Sequence, residues 1–169
     1  MFSSRPFVPL LIFLFSSTKL LANHSLHDQR GASAPKPELK KVLGVKSSSF
    51  KYDKRMLAAA EIASARAARH PKYLCWRHVK VALLRANVID SYPKTVYAKQ
   101  AASELQSSFG FKKLPLKDPF QAPKGAVLVY GGSGPGHIEL RSEKGFVSDF
   151  VSLTPSHLPL IGIYVKPRS

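Results

Sequence analysis

Apolar positions along the middle of the chain recur at helical spacing, then shift to the short runs and alternation of strands. Met56, Leu57, Ala60, Ile62, Ala63 and Ala67 form one stripe between Asp53 and Arg69. Asp53 is placed to cap that helix, and Arg69-His70-Pro71 to end it. A second stripe of Cys75, Trp76, Val79, Ala82 and Leu83 predicts a helix over 75–86, with Asn87 as its C-cap. Ser91-Tyr92-Pro93 reads as a turn. Ala101, Ala102 and Leu105 mark the inward side of a third helix over 98–108, ended by Gly110.

Beyond it the period changes. Leu114 to Lys124 holds three prolines and reads as a loop. Ala126 to Tyr130 is an unbroken apolar run, the pattern of a strand buried on both faces. The glycine-rich stretch 131–136 connects it to a strand over 137–141, and further strands are expected over 145–150 and 160–165. Helices first and strands second predict an α+β domain, with N-terminal helices packed on a small antiparallel β-sheet.

The ends and the charge add a setting. Arg5 followed by the apolar run Phe7 to Phe15 and the polar stretch to Ala22 reads as a signal peptide over 1–22, too short to span a bilayer. Residues 23–51 are rich in Ser, Ala, Lys, Pro and His and read as a flexible linker, leaving 52–169 as the globular domain. The chain is then an exported one, periplasmic or extracellular. Its formal net charge of +16 favours anionic partners. The basic residues are scattered, with no signature of specific nucleic-acid binding. That leaves cell-wall polymer and peripheral contact with anionic lipid.

Chemistry centres on Cys75, the only cysteine in 169 residues. A lone thiol in an exported chain cannot form an internal disulfide and reads as reactive or as a small buried hydrophobe. At the first turn of a helix it faces unpaired backbone N–H groups and the positive end of the helix dipole, both of which favour thiolate. A thiol nucleophile needs a base and a group that orients the base. His24 and His27 fall in the linker, His70 at a helix end and His157 in a Pro-rich loop. His78 shares a helix with Cys75 and lies along it, not across a groove. His137 opens a strand just after Gly136 and can meet a helix-start cysteine across a cleft. Asp149, twelve residues further on, falls opposite the start of that strand if the next two strands pair as a hairpin. Glu139 is its rival, two residues from His137 and on the same sheet face. Tyr73 and Trp76 beside the cysteine, with Gly136 beside the histidine, are candidates for the groove lining, Trp76 being at least as well suited to the core. The glycine run lacks Gly-Lys-Ser/Thr and joins strand to strand, so it is no phosphate loop. No spacing suits zinc, and no cofactor is expected.

Cys75 opening a helix, the segment Pro123-Lys124-Gly125-Ala126-Val127-Leu128-Val129-Tyr130, and Gly136-His137-Ile138-Glu139-Leu140 together resemble the CHAP-type and NlpC-type cell-wall cysteine hydrolases. The resemblance runs from about Leu57 to Val165. It implies a papain-like core and hydrolysis of an amide in peptidoglycan, in the stem peptide or at the muramoyl-alanine linkage. Cys75 would be the nucleophile, His137 the general base and acid, and Asp149 the orienting group. Glu139 would be the alternative third residue or a substrate contact. The chain would act as a monomer. Ala126, where the family commonly has Asp, and Asp149, where NlpC-type members commonly have His, depart from the pattern. They leave room for an inactive cationic wall-binding module of the same fold. A cationic membrane disruptor is a third reading, disfavoured because no basic helix carries a strong apolar face.

Overall fold

The computed structural model describes residues 50–168. The leader expected over 1–22, and nearly all of the linker expected over 23–51, lie outside the described residues. Among the described residues three α-helices precede the sheet: α1 (Arg55–Arg66), α2 (Cys75–Arg85) and α3 (Ala101–Ser107), the last preceded by a 3-10 turn at Ala98–Gln100. Six strands follow: β1 (Lys112–Lys113), β2 (Val127–Tyr130), β3 (His137–Ser142), β4 (Gly145–Val147), β5 (Val151–Ser152) and β6 (Leu160–Val165). They form one sheet in the order β1-β6-β2-β3-β4-β5, with every neighbouring pair antiparallel. The fold class is the α+β one expected.

The continuous apolar run becomes β2, buried at all four positions and paired on both sides. Such a strand needs cover on both faces. The 3-10 turn packs against β2 and β3, α3 against β6, and α1 and α2 against β3. The predicted inward residues Met56, Ala60, Ala63, Val79, Ala82, Leu83, Ala101 and Leu105 are all in the core. So is Trp76.

Boundaries differ in instructive ways. The α1 cap position is held by Lys54, not Asp53; Asp53 instead accepts the Arg55 N–H at 2.9 Å and pairs with Arg55 Nη2 at 2.5 Å. The helix ends at Arg66 because Ala68 leaves to donate its N–H to the Asp149 carbonyl, 2.8 Å away. Asn87 follows the Ala86 cap in the left-handed region (φ 54°), the conformation that closes a helix and that Asn tolerates. The strand expected over 145–150 stops at Val147. Ser148 turns the chain by bonding the Phe150 carbonyl, and β5 begins afresh at Val151. Two-residue β1 and β5 are edge strands, too short to announce themselves by alternation.

Candidate active site

Two local devices bring the site together. The first is the start of α2. Asp149 Oδ2 accepts the backbone N–H groups of Lys72 (2.7 Å) and Leu74 (3.0 Å), and Ser148 Oγ donates to Oδ1 (3.2 Å). The carboxylate therefore grips the chain on both sides of Tyr73. Tyr73 adopts a left-handed backbone (φ 58°), which throws its ring outward. Its 95% exposure makes it the rim of the cleft and not a packed residue. Cys75 then opens the helix at the end of this clamped loop. Burial alone would raise the Asp149 carboxyl. The Leu74 and Lys72 N–H groups more than offset this and hold it below the usual carboxylate range.

The second device is the β2–β3 hairpin. Tyr130 and His137 are direct partners across the two strands, and Glu139 shares the face of His137. Gly136 makes the approach possible. It has φ 77°, and a Cβ there would overlap the Tyr130 carbonyl and come within 2.8 Å of Lys99 Cβ. Gly136→Ala is expected to destabilise the hairpin by about 1–3 kcal/mol, read as a lower denaturant midpoint at unchanged m-value.

These devices place His137 between a sulfur and a carboxylate. The Cys75 side chain is near enough to raise the pKa of its ring, and its Nε2 lies 3.4 Å from Glu139 Oε2. Glu139 is buried, and its Oε1 accepts the Tyr130 hydroxyl at 2.6 Å and the Ser156 N–H at 3.4 Å. Burial, the Glu139 charge and that hydrogen bond push the Tyr130 phenol far above its ordinary range, so it remains an O–H donor. Burial by itself would lower the His137 pKa. The Cys75 and Glu139 side chains beside it outweigh this and push it up to about 9. The imidazole therefore stands as imidazolium beside the sulfur at neutral pH.

Of the two carboxylates weighed from sequence, Glu139 is the one that lies against the imidazole. Asp149 spends its Oδ2 on the loop before Cys75, because β4 ends three residues early and the chain turns away. Tyr130 was not singled out in the sequence, since it closes an apolar strand and reads as core. The signal for it is its position, directly before the glycine connection and in register with the histidine. Among the other histidines, His78 donates Nε2–H to the Ala63 carbonyl at 2.9 Å and ties α2 to α1, while His157 is exposed on the cleft rim.

Cys75, His137, Glu139 and Asp149 line a cleft of about 560 Å³. Tyr73, Trp76 and Gly136 line it as well, together with Val96 and the 154–158 segment. The chain just before Val96 is tied to α2 and α3. Trp76 Nε1 donates to Thr95 Oγ1 at 3.0 Å, and Glu104 accepts the backbone N–H of Lys94 (2.5 Å) and of Thr95 (3.2 Å). Among the described residues no three or more of His, Cys, Asp and Glu gather as a metal site. No described helix is long and apolar enough to cross a membrane.

Removing charge from Glu139 tests the assignment. Below a pH of about 9 the imidazolium is kept, and above it the proton and the ion-pair contribution to stability are lost together. Activity is expected to fall on the alkaline side with an apparent pKa near that value. Glu139→Gln should move this limb to lower pH, and Tyr130→Phe should move it less, at a stability loss of about 1–2 kcal/mol. A pH–kcat/KM profile of each variant reads both effects.

No family model matches the chain, and no curated protein matches it. Among solved structures it is similar to a chain in the crystal structure of the type VI native effector–immunity complex Tae3–Tai3 from Ralstonia pickettii. The two are 18% identical with a TM-score of 0.55, over 70% of this chain and 100% of that one. At that identity the likeness is one of fold.

Proposed function

We propose that the protein is an exported cysteine amidase or peptidase that cleaves an amide bond in peptidoglycan. The observation that carries this reading is the half-buried imidazole set beside Cys75 and against the Glu139 carboxylate in an open cleft. The CHAP- and NlpC-like pattern of the sequence supports the substrate class, as does a strongly basic chain suited to anionic wall polymer. The structural neighbour is part of an effector–immunity complex, which supports action against another cell and leaves a protein partner for this chain as a corollary.

In this mechanism the Cys75 thiolate attacks the amide carbonyl, forming the S–C bond while the oxygen takes the negative charge. That oxygen would be received by backbone N–H groups at the start of α2, which have no carbonyl partner within the helix. His137 gives its proton to the amide nitrogen as the C–N bond breaks and the amine leaves. Neutral His137 then takes a proton from water, the hydroxyl adds to the thioester carbon, and the C–S bond breaks to restore thiolate and imidazolium. Glu139, held by Tyr130, keeps the ring oriented through both proton transfers. The inactive wall-binding alternative is the one to exclude by experiment. Purified peptidoglycan is incubated with wild type and with Cys75→Ser, and the soluble fragments are weighed by mass spectrometry. New fragments with one free amine and one free carboxyl at a single linkage, made only by wild type, are expected. Identical fragment patterns from the two proteins would overturn the proposal.

A further inference from the structure

The cleft has a charge of its own that the reaction does not use. Both carboxylates on its wall are engaged internally: Asp149 by the N–H groups of Lys72 and Leu74, Glu139 by His137, Tyr130 and Ser156. Neither is offered outward. Among the described residues lining the cleft, Arg77 is the sole lysine or arginine. It is exposed, and it forms no salt bridge with a described residue.

Its place is unfavourable for the helix alone. Arg77 is the third residue of α2, and the first turn carries no acid to balance it. A cation there opposes the positive end of the helix dipole. Residues that break a local rule without internal compensation mark functional positions. Helical side chains lean back toward the N-terminus, so Arg77 reaches toward the open end of the helix, where the cleft lies. Around it the cleft is apolar: Tyr73, Leu74, Val96 and Leu158 line it and are themselves exposed at 95%, 48%, 79% and 42%. A ligand that suits this surface has an apolar body and one carboxylate.

We propose that Arg77 reads a free stem-peptide carboxylate through its planar N–H fork while Cys75 acts on a neighbouring amide; this rests on the amidase reading above. The guanidinium matches a carboxylate with two parallel hydrogen bonds, which a lysine cannot reproduce. The cleft would then discriminate stems with free carboxylates from stems whose carboxylates are amidated. A site arranged for a charge rejects a neutral analogue because its own cation is left unpaired.

The test separates recognition from turnover. Calorimetric titration uses the Cys75→Ser protein with two probes: a muropeptide bearing free stem carboxylates and its amidated counterpart. The free form is expected to bind about tenfold tighter or more, as for hydrogen bonds to charged groups. Adding Arg77→Gln should bring the ratio close to one, and Arg77→Lys should keep part of it. The preference should also weaken as salt rises. Equal affinity for the two probes, or a loss on Arg77→Gln that is the same for both, would overturn the assignment. Wild-type turnover of the same probes is followed alongside. A binding preference without hydrolysis removes the amidase reading and leaves Arg77 in place, whereas hydrolysis with no preference does the reverse.

Discussion

Cys75→Ser is expected to lower kcat/KM on peptidoglycan by about four orders of magnitude or more, while the protein keeps its fold and its affinity for the wall. Serine is nearly isosteric, and Cys75 is only partly buried beside the core, so the melting temperature should barely move. The chemistry explains the size of the loss. The neighbouring Cys75 side chain is one of the groups that raise the His137 pKa. A serine hydroxyl is a far weaker acid and nucleophile than a thiol, so the relay loses its attacking group. His137→Ala should cost a similar amount. The double variant should cost hardly more than either single one, because both belong to one proton relay. Dye-release or fragment-mass assays on purified sacculi give the three rates. Additive losses, or retained lysis in Cys75→Ser, would remove the sulfur from the reaction.

The parts of the site that were legible in the sequence are those fixed by local rules. Pro71 and the apolar stripe after it place a helix start at Cys75, and that is where α2 begins. A histidine after Gly136 and before an apolar run opens β3 as expected. What was not legible depends on where a strand stops. Nothing in Gly145 to Phe150 announces that pairing ends at Val147; the turn is made by Ser148 bonding the Phe150 carbonyl, an arrangement that follows from the link between Ala68 and Asp149 far along the chain. Had the strand continued, Asp149 would have come opposite the start of β3. Because it stops, the neighbouring positions on β3 itself supply the carboxylate. Tyr130 was hidden for a related reason: buried tyrosines are ordinary in cores, and only the cross-strand register shows what its hydroxyl touches.

Asp149 carries the second large expectation, and the choice of substitution decides its role. Asp149→Ala removes the charged acceptor of two part-buried backbone N–H bonds that hold the loop before Cys75. The loss should be about 3 kcal/mol, a fall in Tm on the order of 10 °C for a domain of this size. Activity should drop with it, since the loop that sets the angle of Cys75 is freed, and small displacements of a nucleophile cost on the order of a hundredfold. Asp149→Asn keeps one oxygen where Oδ2 sits and should recover most of the stability and turnover. The acid side of stability is informative as well. A carboxylate held below its ordinary value contributes above a pH of about 4 and loses that contribution as pH falls through its folded pKa. Asp149→Asn should therefore flatten the acid arm of the stability curve. The alkaline limb of activity separates the two carboxylates: a loop clamp leaves it in place in Asp149→Asn, whereas Glu139→Gln shifts it. An alkaline shift in Asp149→Asn would return this residue to the role of orienting His137, because only a charge coupled to the imidazolium can move that titration.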